Sequence, residues 1–144
     1  MNKPVSFEVA KLLKEKGFKE QSSCFYTKPN SKMFGVDEHG RFYPIKNNPK
    51  TLWVIGKEFT LNEENVYSAP TIAEVVMWMY EKHGLWISVS VNPKIERFIS
   101  NIYENHLYKC SIYGQTNERN ENGWDTPTKA YEAAIQYCLN NLID

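Results

Sequence analysis

"APTIAEVVMWMYEKHGLWISVSVNP", residues Ala69 to Pro93, decides the fold class. Thr71 and Glu74 form a T-x-x-E capping box, in which side chain and backbone satisfy each other at a helix start. Ile72, Val75, Val76 and Met79 then share one face of a 3.6-residue period. Gly84 supplies the left-handed residue that ends such a helix. Immediately afterwards the period changes to two. In "WISVSV", Ile87, Val89 and Val91 alternate with Trp86, Ser88 and Ser90, the pattern of a strand covered on one side. The stretch predicts a capped helix running straight into a strand.

Two further helices follow the same logic. In "SFEVAKLLKEKGF", Ser6 can cap, and Val9, Leu12, Leu13 and Lys16 make a stripe closed by the lysine stem. Gly17 ends that helix and Phe18 folds back onto it. The ends "KEKGF" and "EKHGL" are one C-cap solution used twice. Near the C-terminus, Thr126 is the cap and Pro127 suits the first helical position. Tyr131, Ala134, Ile135, Cys138 and Leu142 make the third stripe.

Strands fill the intervals. "RFISNIY" and "LYKCSIY" flank "ENH", a short hairpin connection. In the second of these, Tyr108, Cys110 and Ile112 are expected to face the helices. "SCFYTK", "KMFGVD", "RFYPI" and "LWVIGKEFTL" are short strand candidates, and "PIKNNPK" marks a turn. "GQTNERNENGWD" is a polar loop with Trp124 as its one large apolar residue. Closely spaced strands between helices predict an α+β fold, a mainly antiparallel sheet with three helices packed on one face. The 144 residues suit one domain, 1–144.

Composition narrows the function classes. Lysine plus arginine and aspartate plus glutamate each number 17, so the formal net charge is zero. A general nucleic-acid binder is usually basic, so that class is set aside. No apolar run approaches the ~20 residues of a membrane span, and the N-terminus lacks a secretory signal pattern. Cys24, Cys110 and Cys138 are widely spaced and odd in number, as for reduced thiols in a cytoplasm. Aromatics make up 14% of the chain; they fill cores and also serve binding surfaces.

"VSFEVAKLLKEKGF", "YSAPTIAEVVMWMYEKHGLWISV" and "YEAAIQYCLNNLI" together carry a resemblance. The chain resembles a group of small proteins from phages and prophages of Bacteroides-type bacteria. That group combines an opening helix ending in Lys-Gly-Phe, an Ala-Pro-Thr-capped helix ending in Glu-Lys-His, and a closing Tyr-Glu-x-Ala helix. The motifs are caps and stripes, so they imply a shared fold and origin and transfer no active site. They do not cover residues 21–65 or 114–125. The resemblance implies an accessory protein of a bacterial host's cytoplasm, one that binds a host defence protein or its nucleotide signal.

Chemistry-bearing constellations are sparse. His39, His83 and His106 stand far apart, and no close pair of metal ligands occurs. No metal and no cofactor is expected. His83 reads as a helix-end histidine. Cys110 follows His106 by four residues, but it belongs to the apolar side of its strand, where a thiol acts as a small hydrophobe. No Gly-rich phosphate loop occurs, and no catalytic residue is assigned.

The remaining signal is the sheet face turned away from the helices. Trp86, Ser88, Ser90 and Asn92 are expected on one strand, and Lys109, Ser111 and Tyr113 on another. Arg97, Ile99, Asn101 and Tyr103, or the alternate set, complete the face according to register. Rings can stack on a base and Arg97 can meet a phosphate. The candidate binding residues are therefore Trp86, Ser88, Ser90, Asn92, Arg97 and Tyr113. A merely solvated face is the plain alternative. A homo-oligomer interface is a third, supported by Met77 and Trp78 beside the helix stripe. The functional alternatives are an assembly accessory acting by self-association and, last, a small hydrolase.

Overall fold

In the computed structural model, the described residues are 2–20, 22, 24–27, 32–36, 42–44, 66–114 and 121–144. They form three α-helices and seven strands, all paired antiparallel. This is an α+β fold with helices packed on antiparallel sheets. The expected strand "LWVIGKEFTL" lies outside the described residues. Chain contacts divide into two compact units: residues 4–71, and residues 72–144 together with Met1–Lys3.

The 4–71 unit holds α1 (Phe7–Glu15), β1 (Cys24–Thr27), β2 (Lys32–Val36), β3 (Phe42–Pro44) and β4 (Val66–Ser68). The strands form one sheet in the order β3-β2-β1-β4. Ser6 caps α1, its Oγ accepting from Val9 N–H at 3.4 Å. Gly17 ends the helix at φ +85°. The Phe18 N–H then donates to the Leu13 carbonyl at 2.9 Å, and the Phe18 ring is buried. That is the fold-back the sequence predicts. Val9, Ala10 and Leu13 are buried, and α1 packs along β4. Tyr26 and Tyr67 are cross-strand partners, and the Phe7 ring meets both edge-on. Strand β4 is a segment the sequence reading passes over, because only three residues separate residue 65 from Ala69.

The Tyr26 hydroxyl is buried and donates to the Val5 carbonyl at 2.8 Å. Tyr26→Phe removes that donor from the carbonyl of Val5, itself a fully buried residue. The expected result is a loss of roughly 1.5 kcal/mol in urea unfolding with unchanged m-value.

The second unit holds α2 (Ile72–His83), β5 (Leu85–Asn92), β6 (Arg97–Glu104), β7 (Leu107–Ile112) and α3 (Pro127–Asn141). The sheet order is β5-β6-β7, and α2 and α3 pack on it. Ile72, Val75, Val76 and Met79 are all buried, as the stripe predicts. Trp78 is buried as well, at 6% exposure, and so is not free to serve as an interface residue; Met77 alone of that pair is exposed. The same core holds Leu85 and Ile87 of β5, Ser100 and Ile102 of β6, and Ala130, Ala134, Ile135, Cys138 and Leu139 of α3, all buried. The Ser100 hydroxyl, fully buried, donates to the Ala130 carbonyl at 2.6 Å and joins α3 to the central strand. Thr126 caps α3, accepting from Lys129 N–H at 3.2 Å.

His83 closes α2 with its ring 4.7 Å from that of Trp78. Its Nε2 is buried with no hydrogen-bond partner among the described residues. Burial holds its pKa below the ordinary value of 6.5, so the folded state favours the neutral ring. The native state then binds fewer protons than the unfolded chain between the depressed value and ~6.5. Stability from this group is complete above ~6.5 and lost as the pH falls through the depressed value. Thermal melts between pH ~7.5 and ~5.5 should therefore show a smaller acid-induced drop in His83→Gln than in the parent chain.

Candidate functional site: an aromatic groove on the open sheet face

Register decides which side chains share the face turned away from α3. Trp86 pairs with Tyr103, Ser88 with Asn101, Ser90 with Ile99 and Asn92 with Arg97. The middle strand thus contributes Arg97, Ile99, Asn101 and Tyr103. On β7 a bulge opposite Ile102 and Tyr103 changes the alternation: Ile102 pairs with Cys110, but Tyr103 pairs with Tyr108. One extra residue on one strand flips the side chains beyond it. Tyr108, expected to face the helices, instead lies on the open face, 60% exposed with its ring 5.9 Å from that of Tyr103. Lys109, expected on the open face, is the residue displaced by the bulge, and it bonds Glu104 at 2.6 Å.

A polar row crosses the face. Asn101 Nδ2 donates to Ser90 Oγ at 3.1 Å, and Ser111 Oγ donates to Asn101 Oδ1 at 2.8 Å. With the Ser111 proton so committed, the Tyr108 hydroxyl at 2.8 Å is the donor to Ser111. Ser90 Oγ passes the chain on to the Ile99 carbonyl at 3.5 Å. The row is satisfied from within.

Beside it is a groove of about 570 Å³, lined by Met77, Tyr80, Trp86, Ser88, Tyr103 and His106. Three local devices bring these residues together. Gly84, at φ +66°, ends α2 so abruptly that β5 starts at the next residue and returns Trp86 alongside Tyr80. The two rings lie 5.7 Å apart at 81°. Asn105 and His106 both take positive φ, 49° and 70°, in the two-residue turn between β6 and β7, the geometry that a tight hairpin demands. The Asn105 N–H donates to the Gly84 carbonyl at 2.9 Å, which ties the hairpin tip to the helix end. The His106 ring is thereby held 6.1 Å from Tyr80, at 69°. Met77, Tyr80 and Trp86 are each 40–45% exposed, so the rings meet each other and solvent together.

Of the residues singled out by sequence, Trp86 and Ser88 line the groove. Ser90 belongs to the polar row. Asn92 accepts from Lys94 N–H at 3.1 Å and so builds the β5–β6 turn. Arg97 is only 12% exposed: it pairs with Asp125 and donates to the Gly123 carbonyl. Lys129 first and Arg97 second hold the Asp125 carboxyl below its ordinary range. Tyr113 follows β7 and is exposed. Sequence reasoning missed Tyr80 and gave His106 no part in the face. The available signal was spacing: Met77 and Tyr80 are i, i+3 on α2, on the side away from its core stripe.

His106 and Cys110 are not brought together, because Cys110 pairs with Ile102 on the helix-covered side. There the buried Cys138 thiol is pushed up to about 12, by burial and then by nearby Cys110. Among the described residues no three His, Cys, Asp or Glu side chains gather closely enough to hold a metal ion. No described helix is long and apolar enough to cross a membrane. Comparison with protein-family models, curated proteins and solved structures gives no match.

Proposed function

We propose that the chain is a non-catalytic binding protein whose working surface is the aromatic groove between α2, β5 and the β6–β7 hairpin. The observation that carries this reading is the convergence of Tyr80, Trp86, Tyr103, His106 and Met77 at one half-exposed surface. Tyr, Trp and Met are the side chains enriched where proteins recognise partners. Holding rings at the surface costs stability that burial would have returned, and the Asn105–Gly84 clamp spends a hydrogen bond to keep them there.

The phage-type resemblance adds the biological setting: an accessory protein in the cytoplasm of a bacterial host, binding a defence component. Between the two targets considered, an immune protein suits the groove better than a phosphate-bearing signal. Among the described residues no lysine or arginine lines the groove, and Arg97 on the same face is committed to Asp125 and Gly123.

The test compares the parent chain with Trp86→Ala. Expression of the parent in a host carrying a defined defence system should restore phage plaques. Trp86→Ala should lose about 2 kcal/mol of partner binding, roughly thirtyfold in affinity, with a near-parental melting temperature. Unchanged plaque counts for both chains across defence systems would remove the anti-defence reading. Normal binding by a folded Trp86→Ala chain would remove the groove.

A further inference from the structure

The geometry points to an organic cation, a methylated ammonium headgroup, as the ligand of the aromatic groove. This inference rests on the groove being the working surface and names what it takes. Tyr80 stands at 81° to Trp86 and 69° to His106, with centroids 5.7 and 6.1 Å away. Rings that meet near right angles wall a corner. A flat base uses one ring face or two parallel ones, whereas a compact rounded group fits a corner and touches several faces at once. Tyr103, the cross-strand partner of Trp86, supplies a further wall.

Charge selects among rounded groups. Aromatic faces carry the negative lobe of the ring quadrupole, and they attract a cation within ~6 Å of the centroid. The Met77 sulfur adds a polarizable contact. Among the described residues no Lys or Arg lines the groove to repel a cation. Arg97 is held by Asp125 and Gly123, and Lys109 by Glu104. Among the described residues no carboxylate lines the groove either. A primary ammonium, which is strongly hydrated, would lose water without gaining a hydrogen-bonding countercharge. A methylated ammonium sheds less water and presents methyl groups to the rings, so the lining favours it.

The experiment titrates the full chain with choline and with 3,3-dimethylbutanol, its uncharged isostere. Binding is read from the NMR shift of the Trp86 indole N–H, assigned by its loss in Trp86→Phe. Choline should bind about tenfold more tightly than the alcohol. Trp86→Leu, which keeps apolar bulk and removes the ring, should abolish that preference, and Tyr103→Leu serves if Trp86→Leu does not fold. A trimethyl-lysine peptide binding more tightly than choline would place the headgroup on a protein; the reverse would place it on a small molecule. Equal binding of choline and the alcohol, or no shift with either, overturns the cation inference. The broader reading of the groove is judged separately, by whether Trp86→Leu loses the partner.

Discussion

Ile102→Ala lowers the unfolding free energy by about 2–5 kcal/mol, a loss in the upper range for a single truncation. Ile102 is fully buried at the centre of the middle strand, with Ile87 on one side and Cys110 on the other as cross-strand partners. α3 packs over this strand, joined to it by the Ser100–Ala130 hydrogen bond. The lost methyl and methylene groups forfeit their transfer energy, and the cavity left between sheet and helix adds to the cost. A neighbour such as Ile99, on the open face, should tolerate alanine far better. Urea titrations followed by circular dichroism measure both. If Ile102→Ala matches the parent in midpoint and m-value, the helices do not cover this face of the sheet.

Gly123→Val is expected to cost about 3 kcal/mol or more, the upper range for strained backbone with steric overlap added. Gly123 sits at φ +129°, a conformation side chains rarely adopt. A Cβ there would lie 2.7 Å from Arg97 Cβ and 3.1 Å from the Phe98 carbonyl oxygen. The contact is close because the next residue, Trp124, continues the sheet. It exchanges both hydrogen bonds with Phe98, at 2.9 and 2.8 Å, alongside the part of β6 that β7 does not reach. A side chain at 123 would push this pairing apart and separate Arg97 from the Gly123 carbonyl. Amide hydrogen exchange at Phe98 and Trp124 should accelerate by orders of magnitude, while Ile87 and Ile102 stay protected. Protected Trp124 amides in a stable Gly123→Val chain would show that the bridge does not depend on glycine.

The three helices, the Ser6 and Thr126 caps and the start of the β5 alternation were legible because each is written in local chemistry; Val91, expected on the covered side, is 52% exposed. Ser6, Gly17, Gly84 and Thr126 act within a few residues of themselves, and a stripe needs only its period. Even so, the α3 stripe came out rotated: Ala130 and Leu139 are buried where Tyr131 and Leu142 were expected to be. What sequence could not supply was pairing. The bulge opposite Ile102 and Tyr103 is a relation between two strands, and no residue in "LYKCSIY" announces it. It moved Tyr108 to the open face and took Lys109 off it. The role of Trp124 was hidden for the same reason, since its partner Phe98 lies far away in sequence. Of the six lining residues, sequence offered Trp86 and Ser88 outright and Tyr103 in one of two registers. The rest of the groove depends on the helix end, strand start and hairpin tip meeting at Gly84. Arg97 illustrates the limit from the other side: its type suited a ligand, but register placed it against Asp125.

The 4–71 unit begins and ends at one place. The Val5 N–H donates to the Pro70 carbonyl at 2.9 Å, and Pro4 bridges Thr71. One residue further out on each side, the Ile72 N–H donates to the Lys3 carbonyl at 3.0 Å. In topological terms the segment is a closed loop whose two ends are tied by a two-rung ladder. The ladder is braced from inside the loop by the Tyr26 hydroxyl on the Val5 carbonyl. The four-stranded sheet and α1 thus lie within one closed loop of chain, and any segment exchanged for it must bring its ends to the same two rungs.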